Sequence, residues 1–237
     1  MLESMALFLD IDGTLVSFAD TPRAARVDAS LRSLLGDLAA RTSGALAFVS
    51  GRSVACIDAL FQPLRLPAAG LHGFERRGLD GLLRRHAPPP EVKLIAARTA
   101  LRALVALDPG LLLEDKGFLL ALHYRRVPWL EERVLQAMGS IAAAAAPELV
   151  LQRGSYVVEL RPSGHSKGSA VNEFLAEPPF FGRYPVYIGD DLTDEPAFES
   201  VNRAGGTSIL VGGREPTVAQ ACLPDSGAVR AWLRSIL

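Results

Sequence analysis

Apolar and polar positions fall into short repeating blocks along the first third of the chain. Leu7, Phe8 and Leu9 form an apolar run that reaches Ile11, as expected of a short buried strand. In DASLRSLLGDLAART, Leu31, Leu34, Leu35 and Leu38 recur at helical spacing, which predicts a helix with one buried stripe, capped by Asp28 or Ser30. ALAFVSGR predicts a second strand ending in Ser50, Gly51 and Arg52, then a helix over 53–61, and PAAGLHGFE a third apolar stretch. The same rhythm returns late in the chain. A helix starting near Ser166 leads to the strands YPVYIGDD and TSILVG, and a last helix carries Val229, Trp232, Leu233 and Ile236 on one face. Strands alternating with helices predict an α/β fold with a parallel, doubly wound sheet.

The middle follows another pattern. HAPPP at 86–90 is expected to be a stiff linker. After it come a helix near 91–107, two strand-like stretches, LLLEDK and FLLALHYR, joined near Gly117, a helix over LEERVLQAMGSIAAAAA, and a last strand, SYVVELR. RPSG at 161–164 returns the chain to the first pattern. The expected organisation is an α/β core over 1–86 and 163–237, interrupted by an inserted α+β module over 87–162. Alternation within the module's strands places Glu114 and Lys116 opposite Leu113, and His123 and Arg125 opposite Leu122 and Tyr124. It also sets Glu159 and Arg161 opposite Tyr156, Val158 and Leu160. Such a face suits the hydroxyls of a polyol, and it equally suits an ordinary sheet with one solvated side.

Composition narrows the partners. Of 237 residues, 49% are hydrophobic and 22% charged, so a substantial core is available. Lys and Arg number 25 against 26 Asp and Glu, a net charge of −1. That balance offers no basic stripe for nucleic acid, and no apolar run reaches the length of a membrane span. Cys56 and Cys222 lack disulfide or metal spacing and suggest a reducing compartment. MLESMALFLD has no basic segment ahead of its apolar one, so no secretory leader is expected. The expectation is a cytoplasmic protein acting on a small molecule, with a monomer as the simplest state.

Candidate chemistry gathers where the core strands end, because ligands of open parallel sheets bind beyond the strands' carboxyl ends. Asp10 and Asp12 can point the same way, and two adjacent carboxylates repel unless a cation or a proton intervenes. Ser50, His72, Asp190 and Asp191 end other core strands, and Lys167 begins a helix. Each alone has a structural explanation: a turn, a helix cap, a surface lysine, an acidic first helical turn. Together they meet the needs of phosphoryl transfer. Carboxylate oxygens suit Mg²⁺, a carboxylate can be the nucleophile, and a hydroxyl and an ammonium can hold the phosphate oxygens. A second acid, a role open to Asp12, can serve the leaving group. His72 is either a site residue or a structural histidine, and Arg52 either contacts substrate or pairs with a neighbouring acid.

DIDGT, a Ser at a strand end, a Lys, and GDDLTDE resemble, in that order, the four motifs of the haloacid dehalogenase superfamily of phosphatases. The resemblance implies Asp10 as nucleophile, Asp12 as general acid/base, and Ser50, Gly51 and Lys167 as phosphate ligands. It implies Mg²⁺ held by Asp10, the backbone carbonyl of Asp12 and Asp190, with Asp191 or Asp194 behind them. VSGR, GLHGFERR, LEDKGFLLALHYR, VVELRPSGHSKG and GDDLTDEPAF further resemble the trehalose-6-phosphate phosphatase family, over nearly the whole chain. That resemblance makes the insertion a cap, with Glu114, Lys116 and Glu159 on the sugar and the connections at 86–90 and 161–164 as hinges. It departs from the family pattern at Ser166, where an Asn-like residue is expected. A related phosphatase for a sucrose or hexose phosphate, and a non-catalytic phospho-acceptor or partner-binding module, are the alternatives.

Overall fold

The structure is a computed structural model that describes residues 2–17 and 26–237. Its contacts divide the chain into two compact units, Met1–Arg84 with His165–Leu237, and Arg85–Gly164.

In the first unit, β1 (Met5–Leu9) is followed by α1 (Ala29–Arg41), β2 (Leu46–Val49), α2 (Val54–Phe61), β3 (Ala68–Gly70), β4 (Glu75–Arg77) and β5 (Leu83–Arg85). In the second, α3 (Glu91–Val105), β6 (Leu112–Asp115), β7 (Leu120–His123), α4 (Glu131–Ala145), β8 (Leu149–Gly154) and β9 (Val157–Pro162) follow. The chain then returns to the first unit with α5 (Lys167–Leu175), β10 (Tyr184–Gly189), α6 (Glu195–Arg203), β11 (Thr207–Val211), β12 (Ala221–Leu223) and α7 (Ser226–Ser235).

The large sheet has the order β12-β11-β10-β1-β2-β3-β4-β5. Its pairs are parallel from β12 to β3, and β4 runs antiparallel to β3. Period-two alternation sends successive residues of β1 to opposite layers. Leu7 and Leu9 join α1, α2 and α7, while Ala6 and Phe8 join α5 and α6. Helices therefore cover both faces, as the doubly wound reading expects. Asp28 caps α1 by accepting the Leu31 N–H at 2.7 Å, and Leu31, Leu34, Leu35 and Leu38 are all buried. Because β2 and β10 flank β1 on opposite sides, the strand order reverses at β1 and opens a crevice beyond its carboxyl end.

The second unit is a four-stranded antiparallel sheet, β6-β7-β9-β8, with α3 and α4 on the face carrying Leu120, Leu122, Val158 and Leu160. It spans Arg85–Gly164, beside the 87–162 expected from the sequence, and the last residue of β5 is its first.

Four strands escape the hydrophobic pattern. β4 is wholly charged; it pairs antiparallel with β3, and its arginines are held in ion pairs. β5 is exposed throughout, while β8 and β12 owe their extended form to pairing with β9 and β11. Two positions in the reading of the inserted module's strands also differ. Tyr156 lies in the turn before β9, at φ 59°, not within the strand, and Arg125 lies beyond the end of β7. The Arg125 guanidinium sits 5.0 Å above the Tyr156 ring.

Candidate active site

The loop after β1 turns sharply at Gly13, whose φ of 83° suits glycine, and the Gly13 N–H bonds to the Val16 carbonyl at 2.8 Å. Asp10, the first residue past the strand, is buried, and the Asp10 N–H donates to the Ile188 carbonyl of β10. This places Asp10 at the topological switch. Lys167, the first residue of α5, is also buried, and the Lys167 ammonium donates to Asp10 Oδ1 at 2.8 Å and to Asp194 Oδ1 at 2.7 Å. Thr14 Oγ1 lies 3.4 Å from Asp10 Oδ2 and 3.2 Å from Asp190 Oδ1, with one hydrogen to serve either.

The two aspartates of DIDGT have different partners. Asp12 is half-buried and held by a fork: Arg52 Nε donates to Asp12 Oδ2 and Nη2 to Oδ1, each at 2.7 Å. Arg52 thus pairs with an acidic neighbour.

Asp194 is the most enclosed of the acids. Its Oδ1 accepts Lys167 and the Tyr187 hydroxyl, the latter at 2.5 Å. Its Oδ2 accepts the N–H groups of Asp190 and Asp191, both at 3.0 Å. A Cβ on Gly189 would lie 2.3 Å from Asp194 Cγ, so the approach requires glycine there. Asp191 caps the short turn over Leu192–Asp194.

Ser50 is buried at the end of β2, and Ser50 Oγ accepts the Arg52 N–H at 3.2 Å. The ring of His72 lies against Gly51: a Cβ there would meet His72 Nε2 at 2.6 Å. Ser166 does what a cap requires, because Ser166 and Ser169 exchange bonds between side chain and backbone at 2.9 and 3.1 Å. The departure at position 166 therefore leaves Lys167 firmly seated.

The electrostatics show an excess of buried negative charge. Burial first, then Asp194 and Asp12 against the opposing pull of Lys167, pushes Asp10 up to about 7. Burial and then the charges of Asp10 and Asp194 push Asp190 up to about 9. For Lys167, burial disfavours the ammonium but the carboxylates of Asp10 and Asp194 outweigh it, so its pKa is raised. Oxygens of Asp10, Asp190 and Asp194 lie within 4.8 Å of one another, a donor set of carboxylates alone. Hard oxygen ligands of this kind fit a hard divalent cation. Because Asp194 already accepts four hydrogen bonds, Asp10 and Asp190 are the members with capacity left for an ion.

In the second unit, Glu114, Lys116, His123 and Glu159 form one cluster. The His123 Nε2–H donates to Glu114 Oε2 at 3.0 Å, and Lys116 Nζ lies 3.1 Å from Glu159 Oε1 and 3.9 Å from Glu114 Oε2. Register explains it: Glu114 opposes Ala121, which opposes Glu159, which opposes Gln152, all on one face. Arg161 donates to Gln152 Oε1 at 3.2 Å. Arg125 is directed to the Tyr156 turn instead and donates to the Ser155 carbonyl.

Sequence reasoning missed Tyr187, Gln152 and the hydrogen-bonding role of Thr14. A tyrosine amid buried apolar residues needs a partner for its hydroxyl, and that was the available signal for Tyr187.

The family model for trehalose-phosphatase matches residues 8–222. The chain belongs to the trehalose-phosphatase family. A protein of Sinorhizobium fredii named as a probable trehalose-phosphate phosphatase is 43% identical, covering 99% of this chain and 88% of its own length. The trehalose-6-phosphate phosphatase of Escherichia coli is 41% identical, covering 98% and 86%. The solved C-terminal domain of the Candida albicans trehalose-6-phosphate phosphatase aligns with a TM-score of 0.89 at 22% identity, over 99% of this chain and 92% of that one. The architecture is thus the haloacid dehalogenase type implied by the motifs. Among the described residues no helix is long and apolar enough to cross a membrane.

Proposed function

We propose that this protein hydrolyses trehalose 6-phosphate to trehalose and inorganic phosphate, the phosphatase step of trehalose biosynthesis. Membership of the trehalose-phosphatase family supports the substrate. The observation that carries the chemistry is the buried Lys167 ammonium bridging Asp10 and Asp194 at the switch point of the sheet.

In this reading Asp10 attacks phosphorus, an Asp10 Oδ–P bond forms and the bond from phosphorus to the sugar oxygen breaks. Asp12 gives its proton to that leaving oxygen. Water then attacks the phosphorus, the Asp10–phosphorus bond breaks, and Asp12 takes the water's proton. For Asp12 to act, one of its bonds from Arg52 must open. Ser50, the Gly51 backbone and Lys167 hold the phosphate oxygens, and Asp194 keeps Lys167 aimed. Asp10, the backbone carbonyl of Asp12 and Asp190 would hold Mg²⁺. When bound, Mg²⁺ supplies positive charge that offsets the repulsion between these carboxylates and the anionic phosphate. Glu114, Lys116 and Glu159, with His123 beside them, bind sugar hydroxyls, so that the second unit acts as the specificity module. Two exposed, unbridged cysteines suit a reducing cytoplasm.

Phosphate release from trehalose 6-phosphate, sucrose 6-phosphate and glucose 6-phosphate, with and without Mg²⁺, tests the proposal. Mg²⁺-dependent turnover strongly favouring the trehalose ester is expected. Comparable turnover of the others overturns the substrate, and no turnover of any overturns the activity.

A further inference from the structure

GLHGFERR has no role in the chemistry above, yet its residues touch both elements that carry the phosphate ligands. Leu71, His72 and Gly73 take left-handed φ values of 50°, 55° and 93° in succession, a conformation that two non-glycine residues keep only when their surroundings enforce it. The enforcement is visible. The Leu71 N–H donates to the Arg52 carbonyl at 2.9 Å, and the His72 N–H donates to the Ser50 carbonyl at 3.0 Å. The turn thus grips the loop bearing Ser50 and Gly51 from outside. On its other flank, a Cβ on Gly73 would lie 2.5 Å from the Ser166 carbonyl oxygen, so the turn also abuts the start of α5, where Lys167 sits.

β4 continues the pattern with three buried charged residues that alternate between layers. Glu75 Oε1 accepts the Val54 N–H of α2's first turn at 2.7 Å, directly after the Ser50–Ser53 loop. Arg77 holds Asp58 of the same helix with bonds of 2.5 and 2.7 Å. Arg76 faces the opposite layer and reaches Glu173 of α5 at 2.9 Å and Glu177 beyond it at 2.6 Å, its guanidinium 4.9 Å above the Phe174 ring.

We propose that residues 71–77 form a brace that sets the separation between the Ser50–Gly51 loop and the α5 N-terminus, and with it the phosphate pocket. Glu75 and Arg76 are its positioning residues, one for each side. A strand of buried charges is a poor way to build a core and a good way to hold two helices at a fixed distance, because each ion pair or cap specifies one geometry. The inference rests on the phosphate-site reading above.

The test is calorimetric titration of the folded protein with inorganic phosphate in Mg²⁺, alongside kcat and KM. Glu75→Ala and Arg76→Met are each expected to weaken phosphate binding about tenfold or more and to raise KM accordingly, since small misplacements of binding groups are costly. Glu75→Gln, whose amide oxygen still accepts the Val54 N–H, keeps near wild-type affinity. Val229→Ala, a truncation in the buried face of α7, lowers Tm without changing phosphate affinity. Should Glu75→Ala not fold, Arg76→Met carries the test, because its partner glutamates are partly exposed and solvate readily. Unchanged phosphate affinity in the folded variants overturns the brace alone. A wild-type protein that binds no phosphate overturns the phosphate site and the brace together.

Discussion

Each unit of the molecule holds a cluster of acidic residues, and the two are balanced in opposite ways. In the first unit Asp10, Asp190 and Asp194 share one ammonium, that of Lys167, and burial with mutual repulsion pushes Asp10 up to about 7 and Asp190 up to about 9. In the second, burial acts against the charge of Glu114, but the bond from His123 and the ammonium of Lys116 outweigh it and its pKa is lowered. Lys116 stands between Glu114 and Glu159, and Arg161 shares their face of the sheet. The first cluster holds more acids than bases, and in the proposed reading a bound cation offsets that surplus. The second is balanced by its own bases, which leaves donors and acceptors suited to a neutral, hydroxyl-rich ligand. The proposed division of labour, phosphate chemistry in one unit and sugar recognition in the other, follows that difference.

Asp10→Asn attacks the comparison where the effect is largest. It keeps side-chain volume and removes the nucleophile, so turnover should fall by about a thousandfold or more while the circular dichroism spectrum stays unchanged. Activity near wild type would remove the covalent mechanism. The surplus charge makes a second, smaller prediction. A carboxyl raised in the folded state binds a proton that the unfolded chain has already lost, so folding weakens as pH rises from its ordinary value toward its folded one. For the ion-free protein that window runs from about 4 to about 7 for Asp10 and on to about 9 for Asp190. Mg²⁺ should therefore raise Tm by several degrees at pH 8 and by little at pH 5, as melts with and without EDTA would record. Asp190→Asn should melt higher than wild type in EDTA at pH 8 and lose most of the Mg²⁺ effect. An undiminished Mg²⁺ shift in that variant would place the ion elsewhere.

The two clusters were not equally legible in the sequence. Asp10, Lys167 and Asp190 sit at strand ends and a helix start, where a doubly wound sheet brings remote residues together, so hydrophobic pattern and topology located them jointly. Glu114, Lys116 and Glu159 could be put on one face by alternation, yet which acid meets which base depends on the register among β6, β7 and β9. Nothing local states that register. Gln152 was missed because β8 offers only the short apolar run Leu149–Leu151 before polar residues and becomes a strand by pairing with β9. β4 was missed for the opposite reason. Glu75, Arg76 and Arg77 look like a solvated turn until their partners on α2 and α5 are known. Arg52 shows the limit of residue type alone, since that its acidic neighbour is Asp12 is visible only in the folded loop.

The second cluster is tested by selectivity rather than by loss of activity. Glu114→Ala should reduce kcat/KM for trehalose 6-phosphate by roughly 10–100-fold, the scale of losing a charged hydrogen-bonding group from a binding face. Turnover of p-nitrophenyl phosphate, which has no sugar to hold, should change less than about threefold. Equal losses on both substrates would mean that Glu114 supports the unit's structure and not the sugar. Arg125→Ala gives the finest division. Its guanidinium sits above the Tyr156 ring and donates to the Ser155 carbonyl, past the end of β7. Removing an exposed cation–π contact should lower Tm by about a degree or two and leave kcat/KM for trehalose 6-phosphate within about twofold. A large, substrate-selective loss would instead extend the sugar-binding face past the end of β7, and the self-balanced cluster would then be only part of it.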